Sequence, residues 1–243
     1  GAEAWVAAAC AGDTELLDKL RSGFRIHEWT AAYILTHMGK PTRMEDVSKD
    51  SQERQVFGKV PRHALGYGMQ SATLQKEVNF LADMTGIAIT RTQADLIYVG
   101  YHALHPTLQP WWKRVMAHLV SGSLTTTFGR RRTFYGRGRG EWLSETHKSG
   151  IAQEPQSTIA DLLNRGLLRW WRQHDGKHGE LLAQVYDSVL IQTPRAKATL
   201  TAGLVRRCLT EEIEVHGVKF TIPVDVKILE SWAVMAPAKE TTA

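Results

Sequence analysis

The chain changes character at Gly122, and that break restricts it to folds in which a helical block is followed by a mixed one. Before it, apolar residues recur at helical spacing. Trp5, Ala8, Ala9, Leu16, Leu17 and Leu20 do so across 2–20, broken at Gly12-Asp13, where Asp13 can cap a second short helix. Ile26, Trp29, Ala32, Tyr33 and Leu35 predict a helix over 26–38, and two more follow over 92–104 and 110–120, the latter opening on Pro110. Residues 40–51 form a polar connection, and 54–80 carry mixed helical signals around Pro61. Because proline is best tolerated in a helix's first turn, the principal helix there is predicted to start near Lys59 and to end or bend at Gly66 and Gly68. After the break, 123–135 is rich in Thr, Phe and Tyr around Gly129-Arg130-Arg131-Arg132, which predicts a basic hairpin. A long helix over 157–173, a loop over 174–179, a buried strand pair over 181–192, a helix over 195–212 and a strand over 218–228 complete the order, with Pro223 marking an edge or a strand start.

With 243 residues, one large domain or two interleaved subdomains fit. Hydrophobic residues at 43% and charged residues at 23% exclude disordered and collagen-like classes. No apolar run approaches the roughly 18 to 20 residues of a membrane span, and no secretory leader follows Gly1, so the expectation is a protein of the cytoplasm. Cys10 and Cys208 stand alone, without the spacing of a disulfide framework or a zinc module. Thirty basic against 25 acidic side chains give +5, a mild preference for an acidic partner such as nucleic acid.

Three segments carry chemistry. In 54–68, a helix would put Lys59, His63 and Tyr67 on one face at i, i+4 and i+8, where a cation can meet phosphate and a ring can stack on a base. A solvated basic face with Tyr67 in the core satisfies the same spacing. In 184–191, Asp187 lies in an apolar stretch, where a carboxylate invites pairing or metal coordination, although a hairpin turn accounts for it equally well. The third is Arg130, Arg131 and Arg132 with Arg137, Arg139 and Lys148, interleaved with Phe128, Phe134 and Tyr135; arginine forks at that density suit a phosphate backbone, and a solvated loop is the alternative. The pairs Trp111-Trp112 and Trp170-Trp171 suit positions half core and half surface.

In this order and spacing, the segments resemble the polymerase module of family A DNA polymerases, the bacterial polymerase I type, in a divergent phage-like form. Residues 2–8 look like the tail of motif A, Ile26-His27-Glu28-Trp29-Thr30-Ala31 like a fingers signature, and Lys59 to Gly68 like motif B. Gly129-Arg130-Arg131 resembles the Gly-Arg-Arg after the fingers, residues 155–161 the palm helix, and Tyr186-Asp187-Ser188 motif C. The implied fold is α+β, a helical fingers subdomain (16–121) inserted in an antiparallel-sheet palm, with a palm helix at 1–15 and the hairpin, motif C strands and last strand in 122–243. The resemblance implies that Glu3 gates the sugar, that His27, Arg54 and Lys59 neutralise the triphosphate, and that Lys59 also protonates the leaving pyrophosphate. Tyr67 would stack at the nascent pair beside His63. Arg130, Arg131, Lys148, Gln156 and Tyr186 would contact template or primer, and Asp187 would bind metal.

Several departures accompany it, among them Ala152 where many relatives have Asn. Position 63 is His where the family has Phe or Tyr. The motif B arginine expected four before the lysine is replaced by Gln55, with Arg54 one place earlier; Pro61 interrupts the helix; and Ser188 stands where motif C has Glu. Motif A's catalytic aspartate would precede Gly1, so the resemblance implies a split enzyme. Two Mg²⁺ ions would be shared between Asp187 and an aspartate on a second polypeptide that also carries the thumb, the start of the palm and possibly an exonuclease domain. A fragment is the rival account, since Gly1 fits a tag scar or a cleaved junction, and residues 2–11 would expose an apolar face until the other half docks. Primer-template DNA and dNTPs are the expected partners, with no membrane. A non-catalytic DNA-binding or assembly subunit is the alternative function.

Overall fold

The structure, a computed structural model, describes residues 1–135, 143–173, 176 and 178–231. Arg137 and Arg139 of the predicted basic cluster, and His174, Asp175 and Lys177 of the predicted loop, lie outside the described residues. Two compact units form, Glu3–Ser157 and Thr158–Ala243. No helix is long and apolar enough to cross a membrane among the described residues.

The first unit opens with α1 (Glu3–Ala11) and α2 (Thr14–Arg21). Asp13 caps α2 by accepting from the Leu16 N–H at 2.9 Å, as the sequence predicts. Trp5, Val6, Ala8, Ala9, Cys10 and Ala11 are buried, so α1 does not present the exposed apolar face expected of it. Its own unit supplies cover, since α1 packs on α2 and on α8 (Leu108–Leu119). Next comes α3 (Ile26–His37), then a helical stretch from Gln52 to Tyr67 that starts earlier than the sequence suggests. Proline has no N–H and its ring crowds the carbonyl four residues back, so an α-helix through Pro61 is disfavoured. The chain accommodates it by widening into a π turn over Arg54–Lys59, where the Val60 N–H reaches the Gln55 carbonyl. A short α4 (Val60–Ala64) and a 3₁₀ turn (Leu65–Tyr67) follow, and Gly68 ends the stretch at φ 87°.

Helices α5 (Ser71–Phe80), α6 (Ala82–Thr85) and α7 (Arg91–Leu104) complete the helical block ahead of α8. The side chains of Thr90 and Gln93 cap α7 reciprocally. The predicted basic hairpin forms from β1 (Ser123–Thr125) and β2 (Arg131–Thr133), with Gly129 at φ 83° in its turn. Both Trp111 and Trp112 are buried, whereas Trp170 is buried and Trp171 exposed, so only the second pair divides between core and surface.

Helix α9 (Glu145–Gln173) begins well before the predicted 157 and carries Pro155 in its interior. In the second unit, β3 (Glu180–Val185) and β4 (Ser188–Gln192) pair antiparallel, and α10 (Ala198–Leu209) leads into a hairpin of β5 (Glu212–Val215) and β6 (Val218–Thr221). Its core joins Leu163 and Trp170 of α9 to Leu204, Val205, Cys208 and Leu209, with Val189 and Ile191 of β4 against it. The β3–β4 pair is not the buried one expected. Leu182 and Val185 are exposed, because no third strand joins this hairpin among the described residues. The expected helix over 195–212 stops at Leu209 and the expected strand over 218–228 at Thr221, leaving Pro223 beyond the sheet.

Candidate functional site

The sequence-predicted nucleotide residues of the first unit gather where the composite helix crosses α3. Gly58 makes the crossing close: a Cβ there would lie 2.3 Å from the His27 carbonyl oxygen. His27 and His63 consequently face each other, ring centroids 6.4 Å apart and planes 28° from parallel. Burial, together with surrounding positive charge including Arg62 and Arg54, pulls His27 down to about 3, and its Nδ1 is buried without a hydrogen-bond partner. His63 is solvent-facing, and loss of water on its inner side lowers it also.

Arg54 is ion-paired to Glu28 at 3.0 Å, and Glu28, buried in α3, also faces Arg25 at 3.4 Å. Lys59 is half-buried with no carboxylate in ion-pair range among the described residues, so its cation is unspent. Tyr67 closes the face by donating its hydroxyl to Glu3 at 2.5 Å. Burial first and the Glu3 charge second push the phenol up, so it remains a donor that holds the carboxylate in place. The arrangement offers a free ammonium, two imidazoles and a carboxylate clamped by a phenol.

Another half-buried histidine, His102 of α7, lies against the Tyr98, Tyr101 and Trp112 rings, and both its ring nitrogens are shielded from solvent without a hydrogen-bond partner. Burial lowers it to about 4. Both His27 and His102 therefore take a proton more readily unfolded, near 6.5, than folded. Stability is complete above pH about 6.5 and falls as the pH drops toward the folded values. The melting temperature should be several degrees lower at pH 5 than at pH 7.5, and His102→Phe should shrink the difference. An unchanged difference in that variant would contradict the assignment.

The remaining predicted residues are distributed as follows. Arg130 and Arg131 are exposed on the β1–β2 hairpin, whose tip is tied to α9 by Thr127 donating its N–H and hydroxyl to Glu154 at 2.9 and 2.6 Å. Arg132 lies over the Phe134 ring at 4.9 Å. Lys148 pairs with Glu145 at 2.8 Å, and Gln156 is exposed on α9. In the second unit, Tyr186 and Asp187 are the exposed two-residue tip of the β3–β4 hairpin, Tyr186 in left-handed backbone at φ 53°. The turn account of Asp187 is correct, and the same turn leaves its carboxylate without a protein partner among the described residues. The Ser188 hydroxyl donates to the Val185 carbonyl at 2.8 Å and so is engaged locally.

Sequence reasoning missed Gly58 and the role of Glu28. A glycine inside a helical pattern signals close backbone approach; nothing local marks a buried glutamate as an arginine's partner.

Comparison with known proteins bears on the whole chain. The family model described as DNA polymerase family A matches residues 1–234. The thermostable DNA polymerase I of Thermus thermophilus is 23% identical over 230 residues, covering 93% of this chain and 25% of that protein. That of Thermus aquaticus is 24% identical over 231 residues, with the same coverage of both. The chain thus spans about a quarter of the length of the curated relatives it matches. Among solved structures, the POL domain of Pol1 from M. smegmatis, in complex with DNA primer-template and dNTP, superposes with a TM-score of 0.70. It is 17% identical, and the match covers 86% of this chain and 35% of that one. The α+β fold is therefore that of a polymerase domain, and the chain belongs to DNA polymerase family A.

Proposed function

We propose that these residues are the fingers (16–121) and the second part of the palm (1–15 and 122–243) of a template-directed DNA polymerase. It would transfer a nucleotide from a dNTP to a primer 3′-hydroxyl. The observation that carries this is the convergence of Lys59, His27, His63, Tyr67 and Glu3 at one helix crossing in a chain of this family. Lys59 supplies positive charge to the triphosphate and a proton to the leaving pyrophosphate oxygen; Arg54 adds to the electropositive side, while His27, neutral at working pH, offers a ring N–H to a phosphate oxygen. The Glu3 carboxylate, held by the Tyr67 hydroxyl, crowds the sugar edge, while the Tyr67 ring stacks at the nascent pair beside His63. Arg130, Arg131 and Lys148 meet the phosphate backbone, and Gln156 and Tyr186 lie along the primer and template.

Relatives in this family work with divalent metal. The exposed Asp187 carboxylate is a hard oxygen donor with no competing protein cation among the described residues, which fits one ligand of Mg²⁺. Ser188 adds none. Asp187 would hold such an ion by a carboxylate oxygen, and the ion would supply Lewis-acid chemistry toward a primer hydroxyl and phosphate charge. A further aspartate, the thumb and the start of the palm come, in this proposal, from a second polypeptide, and the assembly works in the cytoplasm of a bacterial or phage-infected cell.

Templated primer extension with Mg²⁺ and dNTPs, on the protein as purified from its native source, tests the reading. Extension is expected, a co-purifying chain identifies the partner, and Lys59→Ala should reduce the rate about 10²-fold or more. Tight primer-template binding without extension in such a preparation would replace it with the non-catalytic subunit, which the locally engaged Ser188 would then favour.

A further inference from the structure

Beneath the composite helix, a chain of polar side chains crosses an otherwise apolar interior. The Arg62 Nη1 lies 3.2 Å from the His105 Nε2 and 3.4 Å from the Thr30 hydroxyl, which itself donates to the Ile26 carbonyl at 2.8 Å. His105, at the end of α7 and 2% exposed, turns its Nδ1 toward the Asp13 carboxylate at 3.6 Å. Asp13 is the cap of α2. The Trp29 and Tyr101 rings close over His105, with centroids 5.9 and 5.0 Å away.

The chemistry of these groups fixes the proton. A guanidinium only donates, so the His105 Nε2 must accept, and the single imidazole proton sits on Nδ1, facing Asp13. Asp13 is suited to receive it. Burial alone would raise that carboxyl, but the adjacent His105 ring and the hydrogen bond from the Leu16 N–H outweigh burial and hold it below its usual range. The charged groups facing His105 are Asp13 and Glu15 on α2 and Arg62 on α4, with Tyr101 beside it on its own helix. Arg62 immediately precedes His63 and follows Lys59 by three, so anchoring it sets the rotation of the helix about its axis. The Trp112 indole N–H, donating to the Gly66 carbonyl at 3.2 Å, holds the far end.

We propose that Arg62 is a positioning residue. Received by His105 in the tautomer that Asp13 selects, it sets the direction in which Lys59, His63 and Tyr67 face the nucleotide. The proposal rests on the functional reading above for the identity of the ligand, though not for the geometry.

The test uses the 243-residue chain with ¹⁵N-labelled histidine, followed by NMR and by titration with Mg²⁺·dNTP. His105 should show the Nδ1–H tautomer at neutral pH. Arg62→Gln should displace the His27 and His63 ring signals and weaken nucleotide binding about tenfold, a change of ~1.4 kcal/mol. Arg62→Lys, which keeps a donor, should restore most of both. Asp13→Asn preserves a good helix cap while removing the charge, and should mix the His105 tautomers and move His63 in the same sense. An Nε2–H tautomer in the unmodified chain would overturn the proposal. So would unmoved His27 and His63 signals in Arg62→Gln, whatever its melting temperature, for Arg62 would then only pack. If neither the unmodified chain nor the protein as purified from its native source binds nucleotide while these signals behave as expected, the functional reading fails and the positioning role stands.

Discussion

Replacing Gly58 with alanine should lower the melting temperature by roughly 10 °C and abolish measurable nucleotide binding. Two effects of opposite sign compete. In an ordinary helix interior the change would stabilise by about 0.5–1 kcal/mol, because alanine loses less backbone freedom on folding. Here the new methyl would meet the His27 carbonyl oxygen at 2.3 Å and its carbon at 3.0 Å. Both partners are backbone, so neither can rotate away, and α3 must withdraw from the composite helix. Overpacking of this kind costs about 1–3 kcal/mol or more, and at this chain length each kcal/mol is worth about 2–4 °C. Withdrawal also separates His27 from His63, which is why binding is lost along with stability. Thermal denaturation beside a nucleotide titration settles it, and a rise in melting temperature would show that propensity outweighs the clash.

Asp187→Asn is expected to give the opposite profile: extension reduced at least about 10³-fold, with the melting temperature and primer-template affinity unchanged. The carboxylate stands at an exposed hairpin tip and holds no other part of the described structure, so its loss costs the fold nothing. Asparagine keeps the size and the turn preference while weakening the oxygen donor. Extension at the normal rate in this variant would remove Asp187 from the metal site.

Much of this was legible in sequence because it is encoded within a few residues. Asp13 before an apolar-periodic run announced a cap, Gly68 announced the end of a helix and Gly129 the centre of a hairpin, and both glycines take left-handed backbone. What was not legible depended on distant partners. The burial of α1 comes from α8, a hundred residues on, and the helical signal of 145–156 was obscured by Pro155, which reads as a start although it lies inside α9. The β5–β6 hairpin was hidden because its turn, His216-Gly217, follows a helix whose end carries no glycine or proline. At the site, spacing could nominate residues but not the contacts that orient them. Glu28 with Arg54, Glu3 with Tyr67 and Arg62 with His105 each join residues that only tertiary packing brings together.

The π turn ahead of Pro61 also alters how residues in this helix should be equated with those of relatives. An α turn returns to the same face after about four residues, whereas a π turn absorbs one more. Over Arg54–Lys59 the extra residue rotates position 54 toward the place that position 55 would take in an unbroken α-helix. Counting along the chain finds Gln55 four before the lysine and registers a lost arginine. Counting by face brings Arg54, five before the lysine, toward the side that a residue four before it takes in an α-helix.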